Sequence, residues 1–184
     1  MTGAWEPIVD RLTTERYPRL LSHAFMLVGN RTEAEDLVQE ALIATFGKRR
    51  GFESLAEAEQ YVRRAIVTKF IDKKRKSSKE RELWYRAMSG SEASIADPSG
   101  SIGGALDVGQ ALRSLPVRQR ACVALRFLDD LSVSQTAAAL GLSEGAVKRY
   151  VFDGLKALNA TLGTTESLES LDLAPVQAGP GGAA

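Results

Sequence analysis

Between Asp36 and Phe46 apolar residues recur at helical spacing. Leu37, Val38, Ala41, Leu42 and Phe46 share one face, while Asp36, Gln39 and Glu40 lie on the other. A start signal precedes them in Asn30-Arg31-Thr32-Glu33-Ala34-Glu35, where Thr32 is the expected cap and Glu35, three positions on, completes a capping box. Acidic residues in a first turn suit the helix dipole, which explains Glu33 and Asp36 structurally. It explains Gln39 and Glu40 less well. A second helical pattern follows in EAEQYVRRAIVTKFIDKKRKSSKERELW. There Tyr61, Ala65, Ile66 and Phe70 alternate with Arg63, Arg64, Lys69, Lys73, Lys74, Arg75 and Lys76. Gly and Pro are sparse from Trp5 to Met88, and no period-two alternation is sustained.

The pattern breaks at SGSEASIADPSGSIGG, a small, polar, glycine-rich stretch that reads as a flexible linker. Helical spacing resumes at Ala105 and continues to about Leu162. The expected fold is all-α: two small helical domains, 1–88 and 105–163, joined by a flexible linker, 89–104, and followed by a disordered tail, 164–184. The second domain contains a helix-turn-helix. Ser132 caps a short helix with Gln135 in the capping-box position, and Gly141 supplies a left-handed stop. Ala137 and Ala138 are small enough for close helix approach, Leu142 anchors the turn, and Ser143 caps the next helix. Val147, Val151, Leu155 and Leu158 should face inward. Ser143, Glu144, Ala146, Lys148, Arg149 and Tyr150 are left for the major groove, where Arg149 can reach guanine and Lys148 a phosphate.

Composition changes this picture in few places. The 184 residues are 44% hydrophobic, enough for one or two small cores. The net charge of +1 is uninformative, but residues 48–81 hold twelve Lys/Arg against five Asp/Glu. Such a run is either a solvated helix face or the footprint of a nucleic acid. Lysine and arginine neutralise phosphates, and an exposed Tyr61 can stack on an unpaired base; Phe70 reads better as core. Cys122 and His23 are single, so neither a disulfide framework nor a Cys/His zinc site is expected, and no cofactor is. Cys122 sits in apolar RACVALRF and should be buried and inert; His23 reads as a half-buried packing residue. MTGAWEPIVDRL lacks the form of a signal peptide and no run approaches ~18 apolar residues, so a cytoplasmic protein without membrane spans is expected. No nucleophile–base pair, phosphate-binding glycine loop or metal-ligand cluster suggests an enzyme.

Two blocks carry a resemblance. RTEAEDLVQEALIATF followed by AEQYVRRAIVTKFIDKKRK resembles the first domain of the extracytoplasmic-function (ECF) sigma factors. LRSLPVRQRACVALRFLDDLSVSQTAAALGLSEGAVKRYVFDGLKAL resembles their C-terminal domain. The resemblance spans about Tyr17 to Leu162. It implies that Asp36, Leu37, Gln39, Glu40 and Ala41 bind the β′ clamp of core RNA polymerase. It implies that Tyr61, Arg63, Arg64, Thr68, Lys69, Asp72, Lys73 and Lys74 read the −10 promoter element. The C-terminal domain then meets the β flap and the −35 element of promoter DNA, and an anti-sigma factor is a partner such a protein can have. Thr68 stands where the family commonly carries Asn, so the −10 preference should differ. Asp153 would repel phosphate if it faced DNA, and Tyr150 offers a ring to a thymine methyl, so −35 specificity should be unusual too. The helix-turn-helix alone is also similar to the output domain of LuxR-type regulators, which would require a sensor or receiver domain upstream. Ala183 and Ala184 resemble the small apolar ends that the ClpXP protease recognises; aspartates there should lengthen the protein's lifetime.

Overall fold

A computed structural model describes residues 6–47, 51–87 and 108–164. The expected linker, 89–104, the tail beyond Thr164 and the Ala183–Ala184 signal lie outside these residues. Helix α1 (Glu6–Arg11) widens into a π turn (Leu12–Arg16) and continues as α2 (Tyr17–Val28). The Thr13 and Thr14 hydroxyls donate to the Asp10 carbonyl at 3.0 and 2.8 Å beside the widened turn. Helix α2 stops at Gly29, whose φ of +72° is easy for glycine alone.

The next helix, α3 (Arg31–Phe46), starts one cap earlier than its sequence suggests. Asn30, not Thr32, is the N-cap: its extended backbone lets Oδ1 accept the Glu33 N–H at 3.0 Å. The reversal at Gly29 places Asn30 at the helix mouth and leaves Thr32 inside the first turn. Glu35 pairs with Arg31 at 2.9 Å instead of closing a capping box. The long helix α4 (Leu55–Ala87) has 33 residues, about 50 Å. Leu37, Val38 and Ala41 of α3 pack with Val62, Ile66 and Phe70 of α4, all fully buried.

The second unit comprises α5 (Val108–Ser114), α6 (Val117–Val123), a second π turn (Ala124–Leu128), α7 (Val133–Leu140) and α8 (Glu144–Leu162). Ser132 and Gln135 form the expected capping box, Gly141 is left-handed at φ +62°, and Ser143 Oγ accepts the Ala146 N–H at 3.2 Å. Ala137 is buried as expected, whereas Ala138 is exposed; the buried neighbour is Thr136. Val147 and Val151 are fully buried, Leu158 is buried and Leu155 half-buried.

The units do not keep separate cores. Ala121, Ala124, Leu125 and Leu131 of the second belong to the same apolar cluster as Val62, Ile66, Val67 and Phe70 of the first. The Arg120 guanidinium crosses the boundary, donating to the Leu27 carbonyl and to those of Arg113 and Leu115, and lies 5.4 Å from the Phe70 ring centre. No helix among the described residues is long and apolar enough to cross a membrane.

Candidate nucleic-acid interface

Helix α3 turns its apolar stripe inward, so its outer face is set by spacing. Asp36, Gln39 and Glu40 are exposed. Leu37 and Ala41 are fully buried. These two therefore leave the expected clamp-contact set: they hold the helix to α4 and present no surface. Ile43 joins the outer face, 71% exposed, four positions after Gln39 and three after Glu40. Its apolar side chain hides in the sequence among the alternating core positions of α3. Only the angular position, seven residues from Asp36, could have marked it as outward.

Helix α4 distributes its polar residues on two sides. Tyr61, Arg64, Thr68 and Lys69 line a cleft of about 320 Å³ with Ala44, Thr45 and Ala139, the last from α7. Tyr61 is half-buried, its ring 5.5 Å from that of Phe52. The Thr68 hydroxyl donates to the Ala65 carbonyl at 2.9 Å. Adjoining that cleft through Lys69, a second of about 440 Å³ is lined by Lys69, Asp72 and Lys73 with Glu40, Lys76 and Ser77. The outer face of α3, through Glu40, and the basic face of α4 thus share one groove. Lys74 pairs with Glu33 at 3.3 Å and Asp72 with Arg75 at 3.1 Å.

Arg63 is placed differently. Its Nε lies 2.8 Å from Asp129 Oδ1, and its Nη2 donates to the Leu128 carbonyl at 2.8 Å. Nη2 also lies 3.4 Å from His23 Nδ1, and His23 Nε2 is 3.5 Å from Asp129 Oδ2. His23 is therefore not a half-buried packing residue but a fully enclosed partner of two charges. Burial and the adjacent Arg63 pull it down to about 3. Burial pushes Asp129 up to about 6, against the pull of Arg63 and Arg64. Sequence reasoning missed Asp129, because nothing local marks which of the Asp129–Asp130 pair turns inward.

The capped N-terminus of α8 leaves Ser143, Glu144 and Arg149 exposed; Ala146, Lys148 and Tyr150 are half-buried. Tyr150 packs on the apolar cluster of Cys122, Val147 and Val151, and the Arg149 guanidinium lies 5.3 Å from its ring centre. Asp153 is exposed, one turn after Arg149. Cys122 is buried, and burial pushes its thiol up to about 12.

Comparison with known proteins gives concordant matches for both units. The family model described as Sigma-70 region 2 matches residues 12–80, and that described as Sigma-70, region 4 matches residues 105–158. The RNA polymerase sigma-E factor of Streptomyces avermitilis is 32% identical over 166 residues, 86% of this chain and 83% of that one. The ECF RNA polymerase sigma factor SigF of Caulobacter vibrioides is 35% identical over 126 residues, 68% of this chain and 69% of that one. Among solved structures, the sigma factor RpoE of Bartonella quintana, in complex with the anti-sigma factor NepR, shares the fold. Its TM-score is 0.57 at 23% identity, covering 88% of this chain and 96% of that one. The upstream sensor or receiver domain that a LuxR-type regulator requires is replaced here by a region 2 match.

Proposed function

This chain belongs to the extracytoplasmic-function family of RNA polymerase sigma factors, and on that footing we propose which of its surfaces hold polymerase and which read each promoter element. The outer face of α3, Asp36, Gln39, Glu40 and Ile43, takes the polymerase clamp, with Ile43 as the apolar anchor inside a polar rim. The basic side of α4 receives the opened −10 strand. There Lys69, Lys73 and Lys74 offset phosphate charge and the cleft of Tyr61, Arg64 and Thr68 accepts a base. The N-terminus of α8 enters the major groove at the −35 element, with Arg149 at base edges, Lys148 at phosphate, and Ser143 and Glu144 at the tip. Polymerase performs the chemistry; this chain supplies recognition in the compartment where polymerase works.

One observation carries the reading. Each of the three helices is divided into a largely buried apolar face and an opposite side holding the polar residues assigned to a partner. Asp153 and the packed Tyr150 support a −35 preference narrower than Arg149 alone would give. An anti-sigma protein is proposed as a further partner, one that would act by holding the two units together. The test is titration of core polymerase with the labelled chain. Glu40→Lys places a cation on the clamp face and should weaken binding by at least tenfold, with the helical signal intact. Unchanged affinity would remove α3 from the polymerase interface.

A further inference from the structure

Arg19 differs from its neighbours along the chain. Arg11 holds Glu15 at 2.9 Å, Arg16 holds Glu59 at 3.6 Å and Arg31 holds Glu35 at 2.9 Å. Arg19 is exposed on α2 and has no hydrogen bond or ion pair among the described residues; nor has the Ser22 hydroxyl, one turn on. Both line a cleft of about 360 Å³ between α2 and the second π turn, with Pro18 and Met26 of the helix and Leu128 of the turn. His23 and Arg63 reach the same cleft, but both already face Asp129. The volume lies at the lower end of the ~300–1,000 Å³ of ligand clefts, room for a few side chains. The end of α8 arrives at the same place. Leu162, its last residue, packs with Leu158 on the apolar cluster to which Met26 and Leu128 also belong. Gly163, left-handed at φ +67°, ends the helix, and the Thr164 N–H and hydroxyl return to the Asn159 carbonyl and Oδ1 at 3.1 and 2.9 Å. Beyond the described residues the chain continues as Thr165-Glu166-Ser167-Leu168-Glu169-Ser170-Leu171-Asp172-Leu173. An acid stands at every third position with leucines between, and no Lys, Arg or His follows as far as Ala184.

We propose that this acidic, leucine-bearing segment, residues 166–173, folds back from the end of α8 into the α2 cleft, with its leucines against Pro18, Met26 and Leu128 and its carboxylates on Arg19 and the Ser22 hydroxyl. Charge selects the occupant: the segment carries three carboxylates and no cation, and the cleft offers a guanidinium without a carboxylate. Reach permits it. From Thr164 an extended chain spans ~14 Å to Leu168 and ~30 Å to Leu173, and Leu162 already touches the apolar cluster that the cleft adjoins. A tether this short holds the segment at a millimolar effective concentration, so an intrinsic Kd of ~0.1 mM leaves the cleft about nine-tenths occupied. The chain thereby fills a groove suited to acidic, apolar segments, and such a segment of another protein would have to displace it.

The test is nuclear magnetic relaxation of the full, isotope-labelled chain, read at the backbone amides of Leu168, Leu171 and Leu173. Their order parameters should approach the ~0.85 of rigid backbone in wild type and fall below ~0.6 in Arg19→Glu, at equal helical content. Leu171→Ser, which alters the segment and not the cleft, should release it in the same way and shift the Ser22 and Met26 amides of α2. Values below ~0.6 in wild type would overturn the proposal. So would a segment that stays rigid in Arg19→Glu, or α2 amides that do not move in Leu171→Ser, since the segment would then be held elsewhere. Order that rises with protein concentration would show the cleft filled by the segment of a second copy, and would overturn the fold-back too.

Discussion

His23 is held neutral by its neighbours. Arg63 can donate only to an unprotonated Nδ1, which puts the single ring proton on Nε2, facing Asp129. Asp129 titrates with the opposite consequence. Its carboxyl lies at about 6 in the fold against an ordinary 3.8, because burial outweighs Arg63 and Arg64 from α4, with Asp130 pushing the same way as burial. A raised carboxyl contributes stability that is full below about 3.8 and is lost as pH rises through about 6. His23, lowered to about 3, contributes stability above its ordinary 6.5 that is lost as pH falls. Comparing wild type with Asp129→Asn cancels His23, which both carry. The stability advantage of wild type should therefore grow by about 1 kcal/mol from pH 7 to pH 5 in urea denaturation. An advantage that shrinks would mean an ordinary ion pair whose carboxylate is lowered, contrary to its burial.

At the scale of elements, the helix-turn-helix is held by two kinds of contact. Val147 and Val151 are fully enclosed, worth roughly 1.5–3 kcal/mol each. Gly154, one turn further on α8, permits close approach to α6. A Cβ there would meet Val123 Cγ2 at 2.9 Å, with Gln119 Cβ and Leu115 Cδ1 at 3.5 Å. Helix propensity alone favours alanine by about 1 kcal/mol. Overpacking should reverse that sign, so Gly154→Ala is expected to lose about 1–2 kcal/mol in thermal or urea melting. A stabilised variant would show that α6 and α8 slide apart freely. The caps of α7 and α8 were legible in sequence because each is a contact within three residues. The start of α3 was not, because Asn30 and Thr32 both cap well and the choice depends on the reversal at Gly29. The outer face of α3 was half legible: spacing marks Gln39 and Glu40 as outward and Leu37 and Ala41 as inward, whereas Ile43 passes for one more core position.

At the scale of the molecule, the all-helical class and the order of the two units follow from periodicity and from one polar interruption. Their docking does not. It joins Arg63 to Asp129, Arg120 to Leu27 and Arg113 to Phe25, pairs too distant in sequence for any local pattern to reveal. A chain that reads as two beads on a string is instead one body with a shared core. The central claim is that this chain, bound to polymerase, selects promoters through α4 and α8. The most direct measurement is run-off transcription from a promoter library with core enzyme, comparing wild type, Arg149→Ala and Lys148→Ala. Product should depend on the chain. Arg149→Ala should lose about 1–3 kcal/mol of discrimination at one −35 position, and Lys148→Ala should weaken all promoters alike. Absence of product from every promoter, with core enzyme demonstrably bound, would contradict the claim.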